Sequence, residues 1–178
     1  MNDPRDIVAF WHVAGPKKWF RGGPGFDLQC ETLFADLHVE AASRKLDGWM
    51  DTAEGALALV LLLDQIPRNI FRGTAHAYAT DALALALASR AIDAGFDKQV
   101  DPALRFFFYL PFEHSESMAD QERAVALHAT LPSGDDSWAR KHLDVIEKFG
   151  RFPHRNRVLG RENTPAEQAW LDAGGGFG

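Results

Sequence analysis

Apolar residues recur along this chain every three to four positions, the spacing that places them on one face of an α-helix. Residues 52–65 are apolar on every side, which predicts a buried central helix that Pro67 ends or kinks. Residues 28–46 carry a narrower stripe, made of Cys30, Leu33, Phe34, Leu37 and Ala41. A third stripe, over residues 138–149, is made of Trp138, His142, Val145, Ile146 and Phe149. We interpret His142 as a core histidine.

Helix start signals divide the rest of the chain. A capping residue precedes proline at Asp3-Pro4, Asp101-Pro102 and Thr164-Pro165, and Glu167 completes a capping box at the last of these. Thr80 and Ser115 are further predicted caps. We therefore predict about eight helices, at residues 4–13, 28–46, 52–65, 81–94, from 101 toward 111, 115–130, 138–149 and after 164.

These helices form a single all-α domain over residues 1–178, because no linker-like stretch divides the chain. Successive antiparallel pairs joined by short loops would give a helical array or superhelix. The glycine-rich tail, residues 174–178, is predicted to be flexible.

Composition narrows the function classes. The chain has 178 residues and a formal net charge of −6, which argues against nucleic acid and anionic membranes as partners. The longest apolar run, residues 56–63, is too short to span a membrane. Cys30 is the single cysteine, which excludes an intrachain disulfide. No phosphate loop, dinucleotide fingerprint or zinc-protease motif occurs, so we predict no cofactor and no metal site, and we expect a cytoplasmic protein.

Polar residues cluster in three segments with apolar surroundings. The first directly follows the central helix and holds Asp64, Gln65, Arg68, Asn69 and Arg72. Charges at the end of a buried helix need partners, because an unpaired buried charge costs several kcal/mol. This segment favours an internal network in which Asp64 pairs with an arginine, and an arginine-lined anion pocket is the alternative.

The second and third segments carry candidate chemistry of their own. Glu113, His114 and Glu116 are residue types that bind metals or act as acid and base, although Ser115 and Glu116 also suit a helix start. Residues 151–161 contain four arginines and His154 without any acidic residue. Such a loop can hold a phosphate or carboxylate. It can equally neutralise acidic residues elsewhere in the fold, namely Asp64, Asp81, Glu113 and Glu116.

Together the three segments resemble the bacterial family catalogued as domain of unknown function nine-two-four. The resemblance spans nearly the whole chain and is carried by residues 62–69 with 72–73, 109–116 with 121–123, and 149–156 with 159–161. A departure occurs at residues 163–166, where the resemblance leads us to expect Ser-Thr-Pro followed by an acid. The resemblance implies an all-α fold similar to tetratricopeptide-like superhelices, and it supplies no activity. It places in the family's motifs Asp64, Arg68, Glu113, His114, Arg151, His154 and Arg155.

Three functional hypotheses remain open, and the oligomeric state is not predicted. The first is a concave site for a small anionic ligand or an acidic peptide, lined by Arg68, Arg72, Arg151, His154, Arg155, Asn156 and Arg161. The second is a hydrolase that uses a metal or an activated water with Glu113, His114, Glu116 and His154. The third is an internal polar network that includes Asp64, Gln65, Asn69, Asp81 and Arg123.

Overall fold

The computed structural model describes residues 3–177, and within them the chain forms helices and turns without a strand. The all-α prediction is confirmed. The α-helices are α1 (Pro4–Arg21), α2 (Gly23–Ala42), α3 (Ala53–Val60), α4 (Ile66–Ile70), α5 (Asp81–Asp93), α6 (Leu110–Glu113), α7 (Met118–His128), α8 (Ser137–Phe149) and α9 (Pro165–Asp172). The predicted domain and tail include Met1, Asn2 and Gly178, which lie outside the described residues.

The centre of the fold is one continuous helix built from α3, a π-helical turn at Leu61–Gln65, and α4. Every residue from 55 to 67 is buried, as the all-round apolar sequence predicts. Counting this continuous helix once gives eight helices within residues 3–177, in agreement with the expected number.

Pro67 lies inside this continuous helix and does not end it, and the π-helical turn at Leu61–Gln65 comes directly before it. Proline lacks the N–H that would bond the carbonyl four residues earlier, at Leu63. The structure supplies another donor, since the Thr80 hydroxyl donates to the Leu63 carbonyl over 2.5 Å. The neighbouring carbonyl of Leu62 lies 2.8 Å from Nδ1 of His38. Thr80 makes no capping hydrogen bond to α5, so its predicted capping role is wrong.

Other helices pack around this centre. Helices α1 and α5 contact α3, helix α2 contacts α4, and α7 pairs with α8. The main core includes Trp11, Phe34 and Phe107, all fully buried. A second, smaller cluster is formed by Val145, Ile146 and Phe152, against which Phe149, Trp170 and Phe177 pack. The tetratricopeptide-like superhelical arrangement stays a prediction.

Helix boundaries differ from the predicted ones at three places. The stop predicted at Gly15 is found as a break in α1, where φ is 71°, but a helix resumes after it and continues to Arg21. Helix α2 begins at Gly23, before the predicted start, and ends at Ala42, just ahead of the left-handed residue Arg44. The N-cap of α7 is Ser117 rather than Ser115, whose hydroxyl donates to Asp120.

The predicted helix from Asp101 toward Pro111 is replaced by turns and a 3₁₀ helix at Arg105–Phe108. The Asp101 carboxylate caps only the N–H of Ala103, at 2.8 Å. An α-helix begins only at Leu110, with Pro111 in the first turn of α6, where proline is tolerated. In contrast, the capping box of Thr164 and Glu167 at the start of α9 is confirmed.

The Trp138 side chain is 57% exposed, so it leaves the apolar stripe predicted for α8. No helix among residues 3–177 is long and apolar enough to cross a membrane.

Alanine substitutions at two helix glycines are expected to change the free energy of unfolding in opposite directions. At Gly55, whose N–H is accepted by the Thr52 hydroxyl at 3.1 Å, an added Cβ would overlap the carbonyl of Trp49. Gly25 in α2 has open space at the same position. Alanine normally stabilises a helix interior by up to about 1 kcal/mol relative to glycine.

We therefore expect Gly25→Ala to raise the free energy of unfolding and Gly55→Ala to lower it, by about 1 kcal/mol or more. Urea unfolding followed by circular dichroism measures both changes. Equal stabilisation by the two substitutions would contradict the close packing of α3 against the turn that precedes it.

Candidate functional site

The first two polar segments meet at Asp64, which lies on the π-turn and is fully buried. Its Oδ1 atom lies 2.8 Å from Nδ1 of His114, the residue that follows α6. Burial alone would raise the pKa of Asp64, but the charge of Arg68 and the hydrogen bonds from His114 and Gln65 hold this pKa well below its usual range. The ionised carboxylate can only accept, so Nδ1 of His114 carries the hydrogen and Nε2 is left as the basic nitrogen.

Burial and the charge of Arg68 lower the pKa of His114. The imidazole is therefore neutral at pH 7, with its basic nitrogen available. A carboxylate that orients a neutral histidine in this way is the arrangement found in general bases.

Two guanidinium groups lie beside this pair and share one carboxylate. Arg68 donates two parallel hydrogen bonds to Asp81, each of 2.9 Å, and its Nη1 lies 3.3 Å from Asp64 Oδ1. Nη1 of Arg155 donates to the backbone carbonyl of His114 at 3.0 Å and lies 3.6 Å from Asp81 Oδ2. The two guanidinium carbons are 5.5 Å and 4.6 Å from the ring centre of Tyr78.

Arg155 has fewer partners than Arg68. It is buried, and its Nε atom has no hydrogen-bond partner among residues 3–177. Burial and the charge of Arg68 lower the pKa of Arg155 to about 10. Its guanidinium lies 4.5 Å from the ring centre of Phe152.

The neighbouring His154 also lacks a hydrogen-bond partner at one ring nitrogen within residues 3–177. Its Nδ1 atom is buried and has no hydrogen-bond partner in the described part of the chain. Burial and the charge of Arg155 lower the pKa of His154 to about 4. Its ring centre lies 5.6 Å from that of Phe152, the aromatic ring that Arg155 also contacts. Two successive residues therefore place unpaired buried nitrogens close to one ring.

Glu113 lies at the centre of a second group of buried polar side chains. One carboxylate oxygen lies 3.1 Å from Nδ1 of His142, and the other lies 3.3 Å from Nε2 of His128. Burial and the charge of Asp64 raise the pKa of Glu113 to about 8. Burial lowers the pKa of His128 to about 4 and that of His142 to about 3. All three groups are thus held neutral near pH 7.

The remaining candidate arginines are paired with carboxylates. Arg161 donates to Glu116 at 2.7 Å and 2.9 Å, and the same carboxylate accepts the backbone N–H of Phe152. Arg151 donates to Glu167 at 2.6 Å and 2.8 Å, and Arg72 donates to Asp27 at 2.8 Å twice. A surface cavity of about 590 Å³ is lined by Arg151 and another of about 330 Å³ by Arg72, each beside its acidic partner.

The predicted amide and network residues also find partners. Gln65 donates to Asp64 at 2.6 Å, and Asn69 donates to the Gln65 carbonyl at 3.0 Å. Asn156 accepts from Arg161 at 2.8 Å and donates to Asn163 at 2.8 Å. Arg123 donates to Ser89 and Asp93, and its guanidinium lies 4.7 Å from the ring centre of Phe112. Gln65 and Asn69 thus extend the contacts of Asp64 at the end of the central helix, whereas Arg123 joins α7 to α5.

The four residues of the hydrolase hypothesis have separate partners. His114 contacts Asp64, Glu113 contacts two histidines, Glu116 contacts Arg161, and His154 packs on aromatic rings. No group of three or more histidine, cysteine or acidic side chains within residues 3–177 is arranged to hold a metal ion.

Four residues of the site were not singled out as site residues from the sequence. Tyr78 and Phe177 reach it from distant turns and carry no local signal. His142 matched only an apolar stripe, and His128 has no informative spacing. A search for several histidines near one buried acid in space, rather than along the chain, would have found the Glu113 group.

The Glu113 group gives a prediction on pH. A carboxyl group with a pKa of about 8 when folded and 4.5 when unfolded stabilises the fold most below pH 4.5. That contribution is lost as the pH rises through 8. Glu113→Gln cannot ionise, so we expect the unfolding free energy of the wild type, relative to this variant, to fall between pH 5 and pH 8.

Urea unfolding of both proteins across this pH range measures the difference, in which the histidine contributions largely cancel. A difference that grows with pH would show instead that Glu113 is ionised and paired with a charged histidine.

The chain is similar to a bacterial protein family and to a solved structure. The sequence profile of the family described as "Bacterial protein of unknown function (DUF924)" matches residues 7–175. The solved structure titled "Structure of Protein of Unknown Function ATU0120 from Agrobacterium tumefaciens" matches with a TM-score of 0.92 and 52% sequence identity. The match covers 96% of this chain and 97% of that one. A search of curated proteins gives no match. The chain therefore belongs to the bacterial family DUF924, whose function is not known.

Proposed function

We propose that the protein binds a small anionic ligand, a carboxylate or a phosphate, through Arg155 and His154. The observation that carries this proposal is the incomplete pairing of Arg155, a buried cation whose Nε has no partner among residues 3–177. Buried polar groups in native proteins are almost always hydrogen-bonded, and an exception calls for an explanation, such as a catalytic role or a bound water or ion. A guanidinium is well suited to that role because it binds carboxylate and phosphate oxygens in a fixed geometry.

The charge arrangement supports the same proposal. Arg68 uses both terminal nitrogens on Asp81, whereas Nη1 of Arg155 lies 3.6 Å from this carboxylate and forms no hydrogen bond with it. An added anion would relieve the repulsion between the two arginines, which now lowers the pKa of Arg155. Tyr78 and His154 are only partly buried, so a ligand would enter from their side.

The other predicted ligand residues have a supporting role in this proposal. Arg72, Arg151 and Arg161 are held by Asp27, Glu167 and Glu116 respectively, so each guanidinium already has a carboxylate partner. Arg161 also donates to the Phe152 carbonyl at 3.1 Å and thereby fixes the backbone that carries His154 and Arg155. Asn156 in turn holds Arg161. We assign these residues to positioning rather than to binding.

A cytoplasmic location is part of the proposal. Burial raises the pKa of the Cys30 thiol to about 12, so this free cysteine is an unreactive core residue. A free thiol of this kind suits a reducing compartment. The net charge of −6 favours a small anion over nucleic acid as the ligand.

The proposal predicts a saturable rise in melting temperature with phosphate, sulfate or acetate, measured against chloride at matched ionic strength. A ligand at a hundredfold excess over its dissociation constant stabilises a fold by about 2.7 kcal/mol. Arg155→Gln should abolish the rise. Arg44→Gln is the matched control and should keep it, because Arg44 is exposed and is paired with Asp47.

Circular dichroism confirms that each variant is folded before the titration. A wild type without a saturable shift in any anion would overturn the proposal. An equal shift in Arg155→Gln would place the anion elsewhere. A response to acidic peptides alone would identify a peptide end as the ligand.

The Asp64–His114 pair favours a second candidate function, hydrolysis. In that case Nε2 of His114 removes a proton from a water that attacks a carbonyl or phosphoryl group near Arg155. The same nitrogen then returns the proton to the leaving group. The water is activated by an oriented histidine in this form of the hypothesis, with Asp64 rather than Glu116 or His154 as its partner.

Hydrolysis of nitrophenyl esters and nitrophenyl phosphates tests this second candidate. Removal of a general base typically costs about 10²- to 10⁴-fold in rate. We expect His114→Gln and Asp64→Asn each to lower the rate at least about tenfold, and the exposed control His12→Gln to leave it unchanged. Equal rates in all four proteins would rule out a base at His114 for these substrates.

A further inference from the structure

The end of the described chain places an aromatic ring on the site. The ring of Phe177 stacks on the imidazole of His142, with ring centres 3.7 Å apart and planes 17° from parallel. The rings of Phe152 and His154 flank it, with centres at 6.1 Å and 5.6 Å, in edge-to-face geometry. We call this slot between His142, Phe152 and His154 the ring slot.

The ring slot adjoins the proposed anion site. His154 and Phe152 belong to both, because His154 carries the unpaired buried nitrogen and Phe152 contacts the guanidinium of Arg155 at 4.5 Å. Beneath the slot, His142 contacts Glu113 at 3.1 Å. The ring slot is therefore lined by aromatic rings, and it adjoins the buried nitrogen of His154 that lacks a partner within residues 3–177.

The segment that carries Phe177 is held by two backbone hydrogen bonds of 2.9 Å, from the N–H groups of Gly174 and Gly175 to the carbonyls of Leu171 and Trp170. Residues 174–176 are all glycine, and Gly174 and Gly176 have φ values of 84° and 138°. Glycine loses more conformational freedom on ordering than any other residue, which offsets much of the gain from burying one ring. Phe177 itself remains partly exposed. Phe177 thus fills the ring slot but can be displaced by a ligand that binds there more tightly.

We propose that the ring slot is the specificity site for the ligand, and that this ligand is an aromatic anion whose planar ring displaces Phe177. The proposal rests on the anion site at Arg155 and names the class of ligand that the site prefers. Such a ligand would stack its ring on the neutral His142 and place its anionic group at Arg155 and His154. It would thereby occupy both the ring slot and the anion site.

The experiment uses the full chain and compares ligands with and without a ring. Phenylacetate and phenyl phosphate are the aromatic anions, acetate and inorganic phosphate lack the ring, and cyclohexylacetate carries a ring that is not planar. Binding is measured by calorimetry in the wild type and in Phe177→Ala. Removing a competing occupant raises the apparent affinity by the inverse of the fraction of free sites.

We expect Phe177→Ala to bind both aromatic anions at least about threefold more tightly than the wild type, with little change for acetate, phosphate or cyclohexylacetate. Phe20→Ala is the matched control, because Phe20 is an exposed phenylalanine on α1 and should leave every affinity unchanged.

A second measurement does not depend on the folding of the variant. With 4-fluorophenylalanine at position 177, the fluorine NMR signal should move toward that of a solvent-exposed ring on addition of phenylacetate. Acetate at the same concentration should leave the signal in place. An unmoved signal with bound phenylacetate would overturn the ring slot.

The outcomes separate the two proposals. Arg155-dependent binding of acetate and phosphate to which the ring adds nothing leaves the anion site intact and refutes the ring slot. Binding of phenylacetate that is equally tight in Arg155→Gln and displaces Phe177 supports the ring slot and refutes the anion site. Failure of every anion to bind refutes both.

Discussion

The fully buried carboxylate of Asp64 is the constraint from which the polar structure follows. An ionised group in the interior costs several kcal/mol unless its partners are well placed. Asp64 obtains a salt bridge from Arg68, a hydrogen bond from Gln65 and another from His114. Gln65 and Arg68 come from the same continuous helix, whereas His114 is brought by the end of α6. The carboxylate thereby ties the second polar segment to the central helix and fixes the tautomer of His114.

The network around Asp64 extends to Arg155 through shared partners. Arg68 contacts Asp64 and donates to Asp81 at 2.9 Å for each of two bonds. Nη1 of Arg155 lies 3.6 Å from the same Asp81 carboxylate and donates to the backbone carbonyl of His114. The scaffold and the candidate site are therefore parts of one network. The Nε atom of Arg155 is left without a hydrogen-bond partner among residues 3–177.

Predictions from the sequence succeed where the physics is local. The capping box at Thr164 and the buried helix over residues 52–65 depend on neighbours within a few positions, and both are found. The continuation of the helix past Pro67 could not be predicted, because the missing hydrogen bond is supplied by Thr80, which is seventeen residues from Leu63. The polar segments could be chosen because charge among apolar residues is visible in one dimension. Their partners could not, since Tyr78 and Phe177 meet them only through the tertiary fold.

The stack of Phe177 on His142 links the ring slot energetically to the buried group of Glu113, His128 and His142. Glu113 is held neutral because it is buried, and the stack of Phe177 on His142 forms part of the surface that separates this group from solvent. A carboxyl group with a pKa of about 8 would regain its charge more readily if water entered. Displacement of the ring by solvent would thus favour ionisation of Glu113, whereas replacement by another planar ring would preserve the dry environment. The protonation of Glu113 is consequently coupled to what occupies the ring slot, and a planar aromatic ligand is the occupant that leaves the buried acid undisturbed.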